Sequence, residues 1–150
     1  MCLGFISWRF NKNEYLNNIE YKDTHPFVVP IKFGKVIKVY DGDTITIASK
    51  IEGASNIVYR FQVRLSGIDS PEIKGGTEHE KQLAHNSKDA LSNLIMGKIV
   101  ELRNVSTEKY GRVLADVYLD SLNLCDWMIE HGYAVKYDGG TKHRPEDWSA

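Results

Sequence analysis

From Gly34 onward, apolar and polar residues alternate in short runs. Lys35-Val36-Ile37-Lys38-Val39-Tyr40 is one such run and Thr44-Ile45-Thr46-Ile47-Ala48 the next, with Asp41-Gly42-Asp43 between them. Period-two runs rich in β-branched residues and joined through Asp-Gly read as a β-hairpin. A third run, residues 57–65, follows the turn residues of segment 52–56. The period then changes. After Pro71, Leu83, Ala84, Ala90, Leu91, Leu94 and Ile95 recur at helical spacing, and Gly97 stands at the end. Thr77 with Glu80 three residues on has the form of a capping box, so the spacing predicts a helix over 78–96. Further strands are expected at 99–103 and 113–119, and a short helix from about Leu124 to His131, ended by Gly132.

The order is therefore β-β-β-α-β-β-α: a mainly β chain with helices. Five short strands with a helix between the third and fourth match a five-stranded, partly open OB-fold barrel. Periodicity does not fix strand pairing, so an unrelated α+β sheet is the rival. Residues 1–30 show no clear period and carry Asn11, Asn13, Asn17 and Asn18. They read as an N-terminal extension to a domain spanning 31–150. Phe27-Val28-Val29, set between Pro26 and Pro30, is an extended lead-in.

Composition narrows the class. At 150 residues the chain is one ordinary domain, and its 19 Lys+Arg against 20 Asp+Glu give a formal net charge of -1. Such balance excludes a polybasic coat for nucleic acid but leaves room for a local basic groove. No apolar run approaches the roughly 18 residues of a membrane span. Residues 1–9 lack a positive start and a small-residue cleavage site, so no signal peptide is expected. Cys2 and Cys125 read as reduced thiols of an intracellular, monomeric chain, with Cys2 as a candidate palmitoylation site. Cys125, among apolar residues, reads as a small buried hydrophobe.

Candidate chemistry concentrates in Asp41-Gly42-Asp43-Thr44 and in Arg64-Leu65-Ser66-Gly67-Ile68-Asp69-Ser70-Pro71-Glu72. If the strands pair, Asp43, Asp69 and Glu72 converge. Close carboxylates repel, and they call for a cation or raised pKa values. Oxygen donors without a nearby His or Cys favour calcium or magnesium. Arg64, and Arg112 of Lys109-Tyr110-Gly111-Arg112, are suited to gripping phosphate oxygens. Acids, a hard cation and two arginines together suggest phosphodiester hydrolysis. Other features read as structural. His79-Glu80 begins like a zinc-protease helix, but Leu83 stands where the second His belongs, so His79 and His85 are expected at the surface. Trp127, Met128 and Ile129 are expected in the core, and Tyr59 and Phe61 as barrel filling.

These three motifs, in order and at their intervals over roughly residues 33 to 137, resemble the staphylococcal nuclease family. The resemblance implies an OB-fold, calcium-dependent nuclease acting on DNA and RNA, which breaks the P–O5′ bond and leaves a 3′-phosphate. It implies Asp43 and Asp69 as calcium-binding carboxylates, with the backbone carbonyl of Ser70, where the family often has Thr. It gives Glu72 the attacking water, Arg64 and Arg112 the scissile phosphate, and Lys109 and Tyr110 a neighbouring phosphate. Tyr137 is the candidate for base stacking. Some relatives are catalytically inactive nucleic-acid-binding modules; survival of all five charged residues here favours the enzyme over that module and over a protein-interaction domain. Little chain follows Lys142 to form a long C-terminal helix, so the N-terminal extension is expected to cover that surface. One bound calcium would shift the formal charge from -1 to +1, which fits a small, metal-dependent phosphate grip.

Overall fold

The computed structural model describes residues 12–54, 56–74 and 76–148. Cys2 and its expected modification lie outside the described residues. Strands β1 (Phe33–Val39), β2 (Thr44–Lys50) and β3 (Val58–Leu65) form an antiparallel meander. β4 is the two-residue strand Ile68–Asp69, and helix α1 spans Glu78–Ile95. Then come β5 (Ile99–Thr107), β6 (Val113–Leu119), β7 (Leu122–Asn123), α2 (Leu124–Glu130) and β8 (Val135–Lys136).

The sheet order β3-β2-β1-β5-β6 closes on itself because β3 also pairs with β6, in parallel, with Arg64 opposite Leu114. The result is the five-stranded OB-type barrel expected from the alternation, and the α+β rival falls away. Its interior is Val36, Ile45, Ile47, Val63, Leu65, Val100, Leu102, Val113, Ala115 and Val117, all buried. Successive inward positions on β2, β3, β5 and β6 are two residues apart, as the pleat requires, while on β1 a bulge sets Val36 and Val39 three apart. α1 packs against β1, and α2 against β6.

Thr77 caps α1, its Oγ1 accepting from Glu80 N at 3.2 Å. The return half of the capping box is replaced: Glu80 points inward, 2% exposed. Its Oε2 accepts from Arg144 Nη1 at 3.4 Å, while Oε1 has no hydrogen-bond partner among the described residues. The buried stripe of the helix is Glu80, Ala84, Ser87, Leu91 and Ile95; Ser87 Oγ donates to the Tyr133 carbonyl at 2.6 Å.

Several expectations are corrected. β5 runs on to Thr107, with pairing to β6 resuming at Ser106 after Asn104 adopts φ 52° and the register slips. That kink interrupts the alternation that would have marked the strand. Tyr59 is exposed, and only Phe61 of the two packs partly against the core. Residues 12–28 are all exposed, and Trp148, buried in a C-terminal 3-10 turn, packs beside α1; the cover expected from the N-terminal extension falls partly on residues outside those described. His79 and His85 are exposed and Met128 is fully buried, as the spacing implied. Among the described residues, no helix is long and apolar enough to cross a membrane.

Candidate active site

The turn between β1 and β2 is built around Gly42. A Cβ there would stand 2.8 Å from both Ser70 Cβ and Ser87 Cβ. Only glycine lets the turn press between the β4 segment and α1, and that contact sets the depth of Asp43. Tyr40 N donates to the Thr44 carbonyl at 2.9 Å, and Leu65 N to the Asp43 carbonyl at 2.8 Å, which tie the turn to β3.

Asp43 is thereby buried, with polar partners at both carboxylate oxygens. Thr44 Oγ1 donates to its Oδ1 at 2.9 Å and Ser70 N to its Oδ2 at 3.1 Å. Arg64 Nη1 lies 2.6 Å from Asp43 Oδ1, and Nη2 lies 3.2 Å from Asp69 Oδ1. The same Nη2 donates to the Ile68 carbonyl at 3.1 Å. Arg64 thus binds two buried carboxylates at once. Burial opposes its charge, but Asp43 and then Asp69 outweigh that and raise its pKa above the ordinary arginine value. Asp41 joins the cluster: Asp43 N donates to its Oδ1 at 3.1 Å. Burial first, and the Asp43 charge second, push the Asp41 carboxyl up to about 7.

Asp69 and Glu72 are linked from outside by the C-terminal segment. Lys142 Nζ is 2.8 Å from Asp69 Oδ1 and 3.3 Å from Glu72 Oε1, and Arg144 Nη2 is 3.6 Å from Glu72 Oε2. Asp43, Arg64, Asp69 and Ser70 are therefore held together by direct contacts, and Glu72 is tied to Asp69 through Lys142.

Arg112 stands apart, on the turn between β5 and β6. Gly111 takes φ 81°, and its N donates to the Glu108 carbonyl at 2.9 Å. This turn folds Glu108 back on Arg112, whose Nε donates to Glu108 Oε1. Lys109 and Tyr110 are at the exposed tip, with the ammonium 4.9 Å from the ring centre. Arg64, Arg112, Lys109, Tyr110, Tyr137 and Lys142 line one groove of about 770 Å³. Tyr137 forms its wall: its N donates to the Gly67 carbonyl at 2.9 Å, its Oη to the Gly140 carbonyl at 2.8 Å, and Arg64 Cζ sits 5.8 Å from its ring centre. Glu108 and Asp138 also line the groove, so cations outnumber acids by four to two; that balance and the aromatic wall suit a polyanion with flat bases. Asp69 lines an adjoining cavity of about 570 Å³ behind Tyr137.

The donor set beside this groove is all oxygen, which by type fits a hard divalent cation. Among the described residues, no three His, Cys, Asp or Glu are gathered as a cage. The carboxylates are instead drawn onto Arg64 and Lys142.

A barrel with this cluster can be compared with known proteins. The model of the staphylococcal nuclease homologue family matches residues 62–148, which hold Arg64, Asp69, Glu72 and Arg112. The chain belongs to the staphylococcal nuclease family. It is 31% identical over 106 residues to an uncharacterized endonuclease of Escherichia coli, covering 70% of this chain and 61% of that protein. It is 35% identical over 103 residues to an uncharacterized endonuclease of Haemophilus influenzae, covering 69% of this chain and 51% of the relative. A staphylococcal-like nuclease, CAN1, of Arabidopsis thaliana is 35% identical over 78 residues, covering 52% of this chain and 22% of its own. The chain thus spans about half to three-fifths of the two bacterial relatives.

Within this family member, sequence reasoning passed over four residues. Asp41 was visible beside Asp43 but read as a turn former. Glu108 lies four residues before Arg112, a spacing that pairs side chains on a helix but on a hairpin depends on the turn. Lys142 and Arg144 gave no signal, because an unstructured segment carries no periodicity.

Proposed function

We propose that this chain is a calcium-dependent nuclease that hydrolyses phosphodiester bonds of DNA or RNA. Cleavage at P–O5′ leaves a 3′-phosphate. Residues 31–150 form the nuclease unit, with 1–30 as an extension. The observation that carries this reading is the buried pair Asp43 and Asp69 held on Arg64, with Glu72 tied to Asp69 through Lys142, beside a groove lined by Arg112. Family membership and the nuclease names of the relatives support it.

The carboxylates of Asp43 and Asp69, with the Ser70 carbonyl, would hold the metal ion. A bound calcium ion supplies positive charge to a phosphate oxygen. Glu72, half-exposed at the cluster's edge, orients the attacking water and takes its proton. Arg112 and Arg64 offer N–H donors to the charge that grows on the phosphoryl oxygens. Lys109 and Tyr110 meet the neighbouring phosphate, and Tyr137 stacks against a base.

The test is an assay of purified chain on single-stranded DNA, duplex DNA and RNA, with calcium or with chelator. Cleavage should need calcium and leave 3′-phosphate ends. Glu72→Gln should slow it by about 10²–10³, the range for loss of one transition-state group. Undiminished cleavage in chelator or in Glu72→Gln overturns the mechanism. Calcium-independent binding without cleavage identifies the inactive module.

A further inference from the structure

Lys142 occupies an unusual place. Its ammonium bonds Asp69 Oδ1 at 2.8 Å, and that oxygen also takes Arg64 Nη2 at 3.2 Å. Two cations share one buried oxygen, and Lys142 also reaches the acid assigned to the water. The partners differ in freedom. Asp69 is on a strand, 8% exposed at its side chain, whereas Lys142 is 42% exposed and lies in irregular backbone. The segment is held on both sides: the Gly140 carbonyl accepts from Tyr137 Oη at 2.8 Å, and Arg144 holds Glu72 and Glu80. The residues around Lys142 lie between these two anchors. The lysine also lines the groove that holds Arg112 and Lys109.

A divalent ion bound to Asp69 would compete with the Lys142 ammonium for the same oxygen and repel it at short range. Resting on the metal-dependent reading above, we propose that Lys142 is an exchangeable cation of the site. It and the metal ion displace one another from Asp69 and Glu72, and the released ammonium turns into the groove as a further phosphate contact. Lys142 serves as a stand-in counter-ion before the metal enters and as a substrate-binding residue afterwards.

The experiment is calorimetric titration of calcium into the full chain and into Lys142→Met, Lys142→Arg and Lys136→Met. Lys136 is on the ribbon beside Asp69, in register with Ile68, so its removal takes away the same charge nearby without touching the pair. Lys142→Met should bind calcium about fivefold tighter, the loss expected from one partly exposed competing ion pair. Lys142→Arg and Lys136→Met should stay near wild type. With calcium saturating, Lys142→Met should show a raised KM for an oligonucleotide. In the wild-type chain, calcium should raise acylation of Lys142, read by peptide mass spectrometry, while Lys136 stays constant; this arm needs no variant to fold. Unchanged or weaker calcium binding by a folded Lys142→Met, an equal gain in Lys136→Met, or constant Lys142 labelling overturns the exchange. An unchanged KM overturns the phosphate contact. A wild-type chain that binds no calcium overturns the metal reading itself, and the exchange with it.

Discussion

Arg64 and Asp43 form a buried ion pair at 2.6 Å, with side chains 10% and 5% exposed, and the same guanidinium holds Asp69. Neither partner can be removed alone without leaving a charge in the barrel mouth. Arg64→Met should lower unfolding free energy by about 3–5 kcal/mol, the cost of breaking a buried pair from one side. Urea denaturation followed by circular dichroism measures it. Arg112→Met, at a half-exposed turn, should lose cleavage with far less loss of stability, whereas Arg64→Met should lose both.

Gly42 gives a second expectation. Its missing side chain leaves room for Ser70 and Ser87, both 2.8 Å from where a Cβ would be. Gly42→Ala should cost about 1–3 kcal/mol by overpacking. A midpoint lowered by about 2–4 °C per kcal/mol is the readout, together with weaker metal binding as Asp43 is pushed outward. An unchanged thermal midpoint and unchanged calcium affinity would show that the turn has slack.

Glu108 acts through Arg112, as a positioning residue. Glu108→Gln keeps a hydrogen-bond acceptor for Nε but loses the charge, whereas Glu108→Ala loses both. Cleavage should fall in the order wild type, Glu108→Gln, Glu108→Ala, with Arg112→Ala lowest at about 10²–10³ below wild type. The loss in the Glu108 variants should lie mainly in kcat. An Ala variant as active as wild type contradicts the positioning role.

The Cys125 thiol carries a pH prediction. Burial, and next the charge of Asp116, push its pKa from 9.0 up to about 12. The folded chain holds the neutral thiol, and the unfolded chain ionises it near 9. Stability from this group is therefore complete below pH 9 and is lost as pH rises toward 12. Urea midpoints should fall across that window, and less so in Cys125→Val. At pH 8, iodoacetamide should label Cys125 slowly in the native chain and rapidly in denaturant.

The barrel was legible because each long strand keeps one face inside, so Ile45, Ile47, Val63 and Leu65 carry a period of two. β4, β7 and β8 were not legible: two residues hold no period, and while β7 folds back locally on β6, β4 and β8 pair across nearly seventy residues of chain. The helix boundary at Thr77 was legible, but the inward turn of Glu80 was not, since it depends on Arg144 far along the chain. The acids and arginines of the site could be read from their fixed spacing around turns. The distances from Lys142 to Asp69 and Glu72 could not, because they arise from a loop with no repeat.

The parallel pairing of β3 with β6 has a bearing on how such a chain tolerates change. Arg64 faces Leu114, two residues beyond Arg112, although α1 and all of β5 intervene in sequence. The separation of the two arginines is written into neighbouring strands and not into the length of what connects them. Segments inserted after Glu72 or trimmed before Thr77 would leave that separation intact, so the surface there is free to diverge while the two guanidinium groups keep their span.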